Sequence, residues 1–179
     1  MLRPIALTAL LLTALAAPAL AAPPLAERLG DRIVRFWPDS SARADALPSL
    51  CLLPQVHSEG PAPGTAADAP SFPSTPGGRS AHIDTPRGAS LYGTGMVPGH
   101  LLRNGTTTTL WNTDAYGWDG ASQSLYQSHP WVLAVRRDGT AFGVIADEPG
   151  RLVVDLTDGI AFRSQRSSLS GDRHPARLA

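Results

Sequence analysis

Lysine is absent from this chain of 179 residues, and cysteine occurs only once. All fifteen basic residues are therefore arginines, and fifteen acidic residues balance them to a formal net charge of zero. A chain without excess positive charge offers no electrostatic footprint for nucleic acid or for an anionic membrane surface. The lone Cys51 excludes an intramolecular disulfide, so noncovalent packing has to hold the fold together.

Motifs for metals and phosphates are also missing. Neither a Gly-rich phosphate loop nor a Gly-x-Ser-x-Gly nucleophile elbow occurs. The five histidines do not have the spacing of a metal site: His57, His82, His100, His129 and His174. The sequence therefore predicts no metal and no cofactor.

Long stretches of helical period are lacking, whereas short apolar or alternating runs bounded by Gly, Pro and Asp are frequent. Residues 131–135 and 140–146 are apolar and flank a turn that contains Asp-Gly, which predicts a β-hairpin. Residues 152–156 and 160–162 repeat this pattern. The predicted fold class is all-β.

Weaker signals complete the prediction of secondary structure. A short helical turn is expected at residues 25–30, and a strand at residues 32–37. Prolines on both sides favour an edge strand at residues 50–53. Two further strands are expected around His82 and Leu91. The Asn104-Gly105 dipeptide predicts a hairpin between residues 101–102 and residues 108–111. Asn104 also fits a glycosylation sequon, but a turn is the preferred interpretation of this dipeptide.

The two ends and one internal segment differ in composition from the rest. Residues 1–21 have a positive start, an apolar stretch and a small-x-small site, which predicts a signal peptide cleaved after Ala21 or Ala22 and a secreted or periplasmic product. The apolar stretch is too short to span a membrane. Residues 58–80 are rich in Pro, Gly, Ala, Ser and Thr and predict a loop. Residues 164–179 are rich in Ser and Arg and predict a disordered tail.

The stretch from residue 91 to residue 147 alternates aromatic side chains with short polar ones. Aromatic ring faces pack on the C–H face of a pyranose, while Asn and Asp oxygens accept hydrogen bonds from its hydroxyls. The pattern therefore predicts carbohydrate binding. Trp118 has the most loop-like neighbours and is the ring expected to be best exposed. The candidate binding residues are Asn112, Asp114, Tyr116 and Trp118.

These residues also have structural interpretations. Asn112 and Asp114 could cap a turn through their own backbone, as Asx residues commonly do. Trp131 opens a strand and is expected to be buried. Aromatic side chains supply much of the buried area of a small sandwich, so about two of four further rings are expected in the core. These four are Trp111, Tyr116, Trp118 and Tyr126.

Four ordered motifs resemble the N-terminal β-sandwich of glycoside hydrolase family 31, which is best known for α-glucosidases. They are Leu91-Tyr92-Gly93-Thr94-Gly95, Trp111-Asn112-Thr113-Asp114, Leu125-Tyr126-Gln127-Ser128-His129-Pro130 and Phe142-Gly143-Val144-Ile145. The resemblance implies an antiparallel β-sandwich of the galactose-mutarotase-like type over residues 25–163. Fewer strands precede the Tyr-Gly motif than is usual in the family, so the sandwich is expected to be incomplete. Met96 stands where the family usually has Glu, which weakens a polar role at that turn.

The resemblance also has consequences for activity. In the family, both catalytic Asp residues lie on a (β/α)₈ barrel that follows the sandwich, and such a barrel takes about 250 residues. We therefore expect this chain to lack the catalytic pair and to be inactive alone. The Asp of the Trp-Asn-x-Asp motif contacts the substrate sugar in the family, and this role maps onto Asp114, with Asn112 shaping the loop. The expected ligand is an α-glucoside or another carbohydrate, and a separately encoded catalytic barrel is a candidate partner.

Two other functions are compatible with the sequence. The domain could be a free-standing carbohydrate-binding module that uses Trp118 and Asp114. It could also be a sugar mutarotase or epimerase, which needs a His and a Glu as general acid and base. Outside the predicted signal peptide, the glutamates are Glu27, Glu59 and Glu148, and none of them lies in a recognisable motif.

Overall fold

A computed structural model describes residues 23–44, 59–62, 68–75, 78–122, 124–148 and 150–165. The predicted signal peptide, the edge strand at residues 50–53 with Cys51, and the tail beyond residue 165 lie outside the described residues. Within the described ranges, no helix is long and apolar enough to cross a membrane.

The N-terminal part is a two-stranded antiparallel hairpin followed by a short helix. Strand β1 (Leu25–Arg28) pairs with β2 (Val34–Trp37), and helix α1 spans Ser40–Ala44. The prediction of a helical turn at residues 25–30 is wrong. The backbone of β1 exchanges hydrogen bonds with β2 on one edge and with residues 59–62 on the other. This pairing on both edges overrides the helical preference of its Leu, Ala, Glu and Arg residues.

The larger sheet has five strands in the order β3-β4-β10-β9-β6, and every neighbouring pair is antiparallel. Its strands are β3 (Ser74–Thr75), β4 (Gly78–Ile83), β6 (Thr107–Leu110), β9 (Leu152–Asp155) and β10 (Ile160–Gln165). The strands predicted at residues 152–156 and 160–162 are confirmed. Two expected boundaries differ from the structure. Strand β3 and the start of β4 lie inside the predicted loop at residues 58–80, and β10 continues two residues beyond residue 163.

The smaller sheet has three antiparallel strands in the order β5-β7-β8. These strands are β5 (Ser90–Gly95), β7 (Ser128–Val135) and β8 (Ala141–Ile145). The predicted hairpin is confirmed as β7 and β8, with Gly139 at a φ of 84° in the turn. Strand β5 departs from regular register between Gly93 and Gly95, where a β-bulge brings the chain close to the backbone of β7.

The core lies between the two sheets and is mainly aliphatic. Alternate residues of each strand face inward, as with Val132 and Ala134 in β7 and Leu152 and Val154 in β9. This alternation buries one face of each sheet, as expected for a sandwich. The buried cluster consists of Ala81, Ile83, Leu91, Leu110, Val132, Ala134, Val144, Ala146, Leu152, Val154, Leu156, Ile160 and Phe162.

A short segment before β6 links the two sheets. The Asn104 side chain accepts a hydrogen bond from Leu91 N–H (2.8 Å) and donates one to the Ala89 carbonyl (2.9 Å). On its other side, Gly105 N–H donates to the carbonyl of Leu156 (2.8 Å). Asn104-Gly105 forms a turn, but residues 101–102 are not a strand, so the prediction of a hairpin is wrong. The segment connects β5 to the larger sheet instead.

The turn between β9 and β10 provides a pH-dependent contribution to stability. The Asp155 carboxylate accepts hydrogen bonds from the Thr157 hydroxyl (2.6 Å), the Thr157 N–H (3.1 Å) and Arg163 Nη1 (2.8 Å). These bonds, first of all that of the Thr157 hydroxyl, lower the pKa of Asp155 from its usual value of 3.8. Because the folded-state pKa is the lower one, the ionised carboxylate stabilises the fold above pH 3.8, and this contribution is lost as the pH falls through the folded-state pKa.

We therefore expect Asp155→Asn to lower the free energy of unfolding by about 1–2 kcal/mol at pH 7 and by much less in acid. Urea unfolding of both proteins at neutral pH and below the folded-state pKa measures this difference. Asp158→Asn is the matched control, because Asp158 lies on the same turn and its carboxylate makes no hydrogen bond within the described ranges. A loss at Asp155 that does not change with pH would contradict the prediction.

Candidate functional site

The connection between β6 and β7 carries most of the predicted binding residues, and its two limbs are joined by hydrogen bonds. Thr113 N–H donates to the Leu125 carbonyl (2.9 Å), and the Thr113 hydroxyl donates to the Ser124 carbonyl (2.9 Å). Nearer the tip, the Tyr126 hydroxyl donates to the carbonyl of Ala115 (3.0 Å). Leu125 is buried and anchors the connection to the domain. The connection is therefore an organised projection rather than a loose loop.

The tip of this projection is fixed by Asp119. Its carboxylate accepts hydrogen bonds from Ala121 N–H (3.0 Å) and from the Ser122 hydroxyl (3.2 Å). Asp114 is exposed, and its carboxylate has no hydrogen-bond partner among the described residues. Of Asn112, Asp114 and Asp119, the last is therefore the one whose carboxylate caps a turn in the described part of the connection.

The aromatic rings of the projection are on the surface. Tyr116 is 90 % exposed and Trp118 is 55 % exposed, so Trp118 lies on the surface but the prediction that it is the best exposed ring is wrong. Trp111 and Tyr126 are also exposed, so the expectation that two of the four rings are in the core is wrong. The physical reason is that aliphatic side chains from both sheets already fill the core.

Trp131 was expected to be buried, and this prediction is also wrong. Trp131 is 38 % exposed, because the inward positions of β7 are occupied by its neighbours Val132 and Ala134. Its indole lies on the outer face of the small sheet across Gly143, where an added Cβ atom would come within 2.9 Å of the indole Nε1.

A cleft of about 320 Å³ opens where β6 ends and β7 begins. Among the predicted residues, it includes Asn112 but not Asp114, Tyr116 or Trp118. It adds Glu148, which was not predicted as a binding residue. The cleft is lined by Leu110, Trp111, Asn112, Ser128, Pro130, Glu148, Gly150 and Leu152.

Strand register explains how these residues meet. Leu110 in β6 pairs with Leu152 in β9, so the chain just after β6 lies beside the chain just before β9. Ala146 N–H donates to the Pro130 carbonyl (2.8 Å), which brings the start of β7 to the same place. Sequence reasoning missed Glu148 because its proximity to Asn112 depends on this register rather than on a local motif.

The cleft does not bring together the groups that sugar mutarotation requires. As far as the described residues go, its lining contains Glu148 but no histidine. His129 follows Ser128 in β7 and therefore points to the opposite face of the strand. The other two glutamates form ion pairs, Glu27 with Arg43 and Glu59 with Arg28. Within the part of the chain that the structure describes, no group of three or more His, Cys, Asp or Glu residues could hold a metal ion.

Comparison with known proteins gives consistent matches. "Alpha-glucosidase 2" of Bacillus thermoamyloliquefaciens is 35% identical over 83 residues, which are 44% of this chain and 10% of that protein. "Alpha-glucosidase" of Hordeum vulgare is 44% identical over 59 residues, which are 32% of this chain and 7% of that protein. The solved Family 31 alpha-glucosidase from Bacteroides thetaiotaomicron is 40% identical with a TM-score of 0.47, and the match covers 56% of this chain and 16% of that chain.

These matches cover only about a tenth or less of the two curated relatives. The family profile described as "Glycosyl hydrolase 31 N-terminal galactose mutarotase-like domain" matches residues 53–155, which is more than half of the chain. The match agrees with the two antiparallel sheets and with the resemblance of the four motifs. The chain therefore belongs to the family of N-terminal galactose mutarotase-like domains of glycoside hydrolase family 31.

Proposed function

We propose that this domain binds an α-glucoside through the projection between β6 and β7 and so frames a sugar for a catalytic barrel. The catalytic carboxylates are supplied by another segment of polypeptide or by a separately encoded barrel. Membership of the family and the two α-glucosidase relatives support the choice of an α-glucoside. The proposal assigns recognition to this domain and bond cleavage to the partner.

One observation carries the proposal: the projection presents two exposed rings and a carboxylate that has no partner among the described residues. Asp114 can accept hydrogen bonds from sugar hydroxyls, because the described part of the structure gives its oxygens no donor. Tyr116 and Trp118 offer apolar faces for the C–H side of a pyranose. The hydrogen bonds across the projection hold its limbs before a ligand arrives, which reduces the entropy that binding has to overcome.

Replacing Trp118 by alanine is expected to weaken binding of maltotriose about 10-fold, because a stacked ring contributes on the order of 1.4 kcal/mol. Isothermal titration calorimetry measures the change in Kd. Asp114→Asn should also weaken binding, since the neutral amide is a poorer acceptor for hydroxyl hydrogens.

Trp131→Ala is the matched control, because it removes an exposed tryptophan from the outer face of the small sheet, outside the projection. Its Kd should equal that of the original protein. A flat titration of the unaltered domain would refute carbohydrate binding, and equal losses at Trp118 and Trp131 would refute the assignment to the projection.

A further inference from the structure

We infer that the cleft formed by Trp111, Asn112, Ser128 and Glu148 is a second carbohydrate-contact site, sized for one sugar ring, in which Glu148 accepts hydrogen bonds from sugar hydroxyls. The inference rests on the proposed function, since it assumes that the domain binds carbohydrate. Trp111 and Asn112 lie at the base of the projection, but Asp114, Tyr116 and Trp118, which carry the proposed function, do not line this cleft.

The polar groups of the cleft are available to a ligand. The side chains of Asn112 and Ser128 make no hydrogen bond within the part of the chain that the structure describes. One oxygen of Glu148, Oε1, accepts a hydrogen bond from Gly150 N–H (3.2 Å), and the other oxygen has no donor among the described residues. Together these groups supply an amide donor and acceptor, a hydroxyl and a carboxylate acceptor, which match the mixed donors and acceptors of a sugar.

The remaining walls are apolar. Leu110 and Leu152 are buried and pair with each other across β6 and β9, so the floor of the cleft stands on the sheet. Pro130 and the half-exposed ring of Trp111 complete the apolar lining. An apolar surface with a few convergent polar groups is the usual composition of a small-molecule site.

Charge and size narrow the class of ligand. Among the described residues that line the cleft, Glu148 is the only charged one, and no basic side chain accompanies it. A phosphate or an acidic peptide would therefore be repelled, and a single carboxylate is too few ligands for a divalent cation. The volume of about 320 Å³ lies at the lower end of the range for ligand pockets, which fits one neutral sugar ring rather than a chain of several.

The four tryptophans allow the two surfaces to be observed separately. Each indole N–H gives its own peak in a proton–nitrogen NMR spectrum, and Trp→Phe variants assign the peaks of Trp37, Trp111, Trp118 and Trp131. In a titration with methyl α-glucoside and with maltotriose, we expect the Trp111 peak to move saturably. Trp37 is buried and serves as the internal reference.

Glu148→Gln is expected to raise the Kd reported by the Trp111 peak about 10-fold while the Kd reported by the Trp118 peak is unchanged. The glutamine keeps an oxygen for Gly150 N–H, so the local fold should persist, and the spectrum itself verifies folding. Asn112→Ala provides a second variant on the same cleft. Glu59→Gln is the matched control, because Glu59 lies outside the cleft and pairs with Arg28.

The outcomes separate the two proposals. Movement of the Trp118 peak with a fixed Trp111 peak would overturn the cleft and leave the proposed function intact. Movement of the Trp111 peak that Glu148→Gln and Asn112→Ala leave unaltered would also overturn the assignment of the cleft. If neither peak moves, carbohydrate binding itself is refuted together with the cleft.

Discussion

Replacing Gly95 by alanine is expected to lower the free energy of unfolding by more than about 3 kcal/mol. Gly95 has a φ of 90°, a conformation that side chains other than glycine rarely adopt. An added Cβ atom would lie 2.6 Å from the Gln127 carbonyl oxygen and 2.8 Å from the His129 nitrogen. Both obstacles are backbone atoms at the start of β7, so no side chain can rotate away. Relief of the clash requires the β5–β7 pairing to open at the bulge.

Gly139→Ala is the matched control for this prediction. Gly139 belongs to the same sheet and has a similar φ of 84°, but nothing lies within 4 Å of an added Cβ atom. Its substitution should cost only the conformational strain, about 1 kcal/mol. Thermal unfolding of both variants, followed by tryptophan fluorescence, gives the comparison, provided that each shows a single cooperative transition. Equal losses of stability would mean that the close approach of β5 to β7 is not a determinant of this fold.

A loss of that size matters for a domain of this length. The total stability of a small domain is about 5–15 kcal/mol, so the Gly95 variant would lose a substantial part of it.

The close approach of β5 to β7 also explains why the neighbouring residue Gly93 is a glycine. At Gly93 an added Cβ atom would lie 2.3 Å from the carbonyl oxygen of Trp131. The Tyr-Gly-Thr-Gly motif is therefore required by the packing of two backbones, and its presence in the sequence does not by itself indicate a binding role.

The small sheet could be predicted from the sequence because its information is local. The runs that form β7 and β8 are apolar, close in sequence and joined by an Asp-Gly turn, so their pairing needs no knowledge of the rest of the chain. Strand β1 could not be predicted in the same way. Its four residues favour a helix when considered alone, and only backbone bonds to β2 and to residues 59–62 make them a strand.

The aromatic residues show a different limit of sequence reasoning. Composition indicates that large rings tend to be buried, but it does not indicate how much core volume the aliphatic residues already fill. Trp111 directly follows a strand residue that faces inward, and Trp131 directly precedes one. Because successive residues of a strand point to opposite faces, both rings lie on the outside. The glycines and polar residues around Trp118 in the sequence predict that it is exposed, but they do not indicate that Tyr116 is the more exposed ring.

The two parts of the candidate site also differ in whether the sequence predicts them. The exposed segment with Asp114 and Trp118 could be predicted, because these residues are close together in the sequence. The cleft could not, because Asn112 and Glu148 meet only through the register of β6 with β9 and through the bond from Ala146 to Pro130. Long-range register is the information that a single sequence does not display.

Replacing Asn104 by alanine is expected to lower the free energy of unfolding by about 2–4 kcal/mol. Leu91 is only 1 % exposed, and its N–H would lose the Asn104 oxygen at 2.8 Å as acceptor. The Ala89 carbonyl would lose the donor at 2.9 Å in the same step. Buried backbone groups without partners each cost about 1–3 kcal/mol, and the lost contacts also weaken the link between β5 and the larger sheet.

Asn112→Ala is the matched control, since Asn104 and Asn112 are the two asparagines of the chain. The Asn112 side chain is exposed and makes no hydrogen bond among the described residues, so its removal should change stability by less than about 0.5 kcal/mol. Asn104→Asp should fall between the two, because the carboxylate still accepts from Leu91 N–H but cannot donate to Ala89. Urea unfolding of the three variants measures this order. If Asn104→Ala and Asn112→Ala unfold at the same denaturant concentration, the two sheets are held together by their apolar core alone.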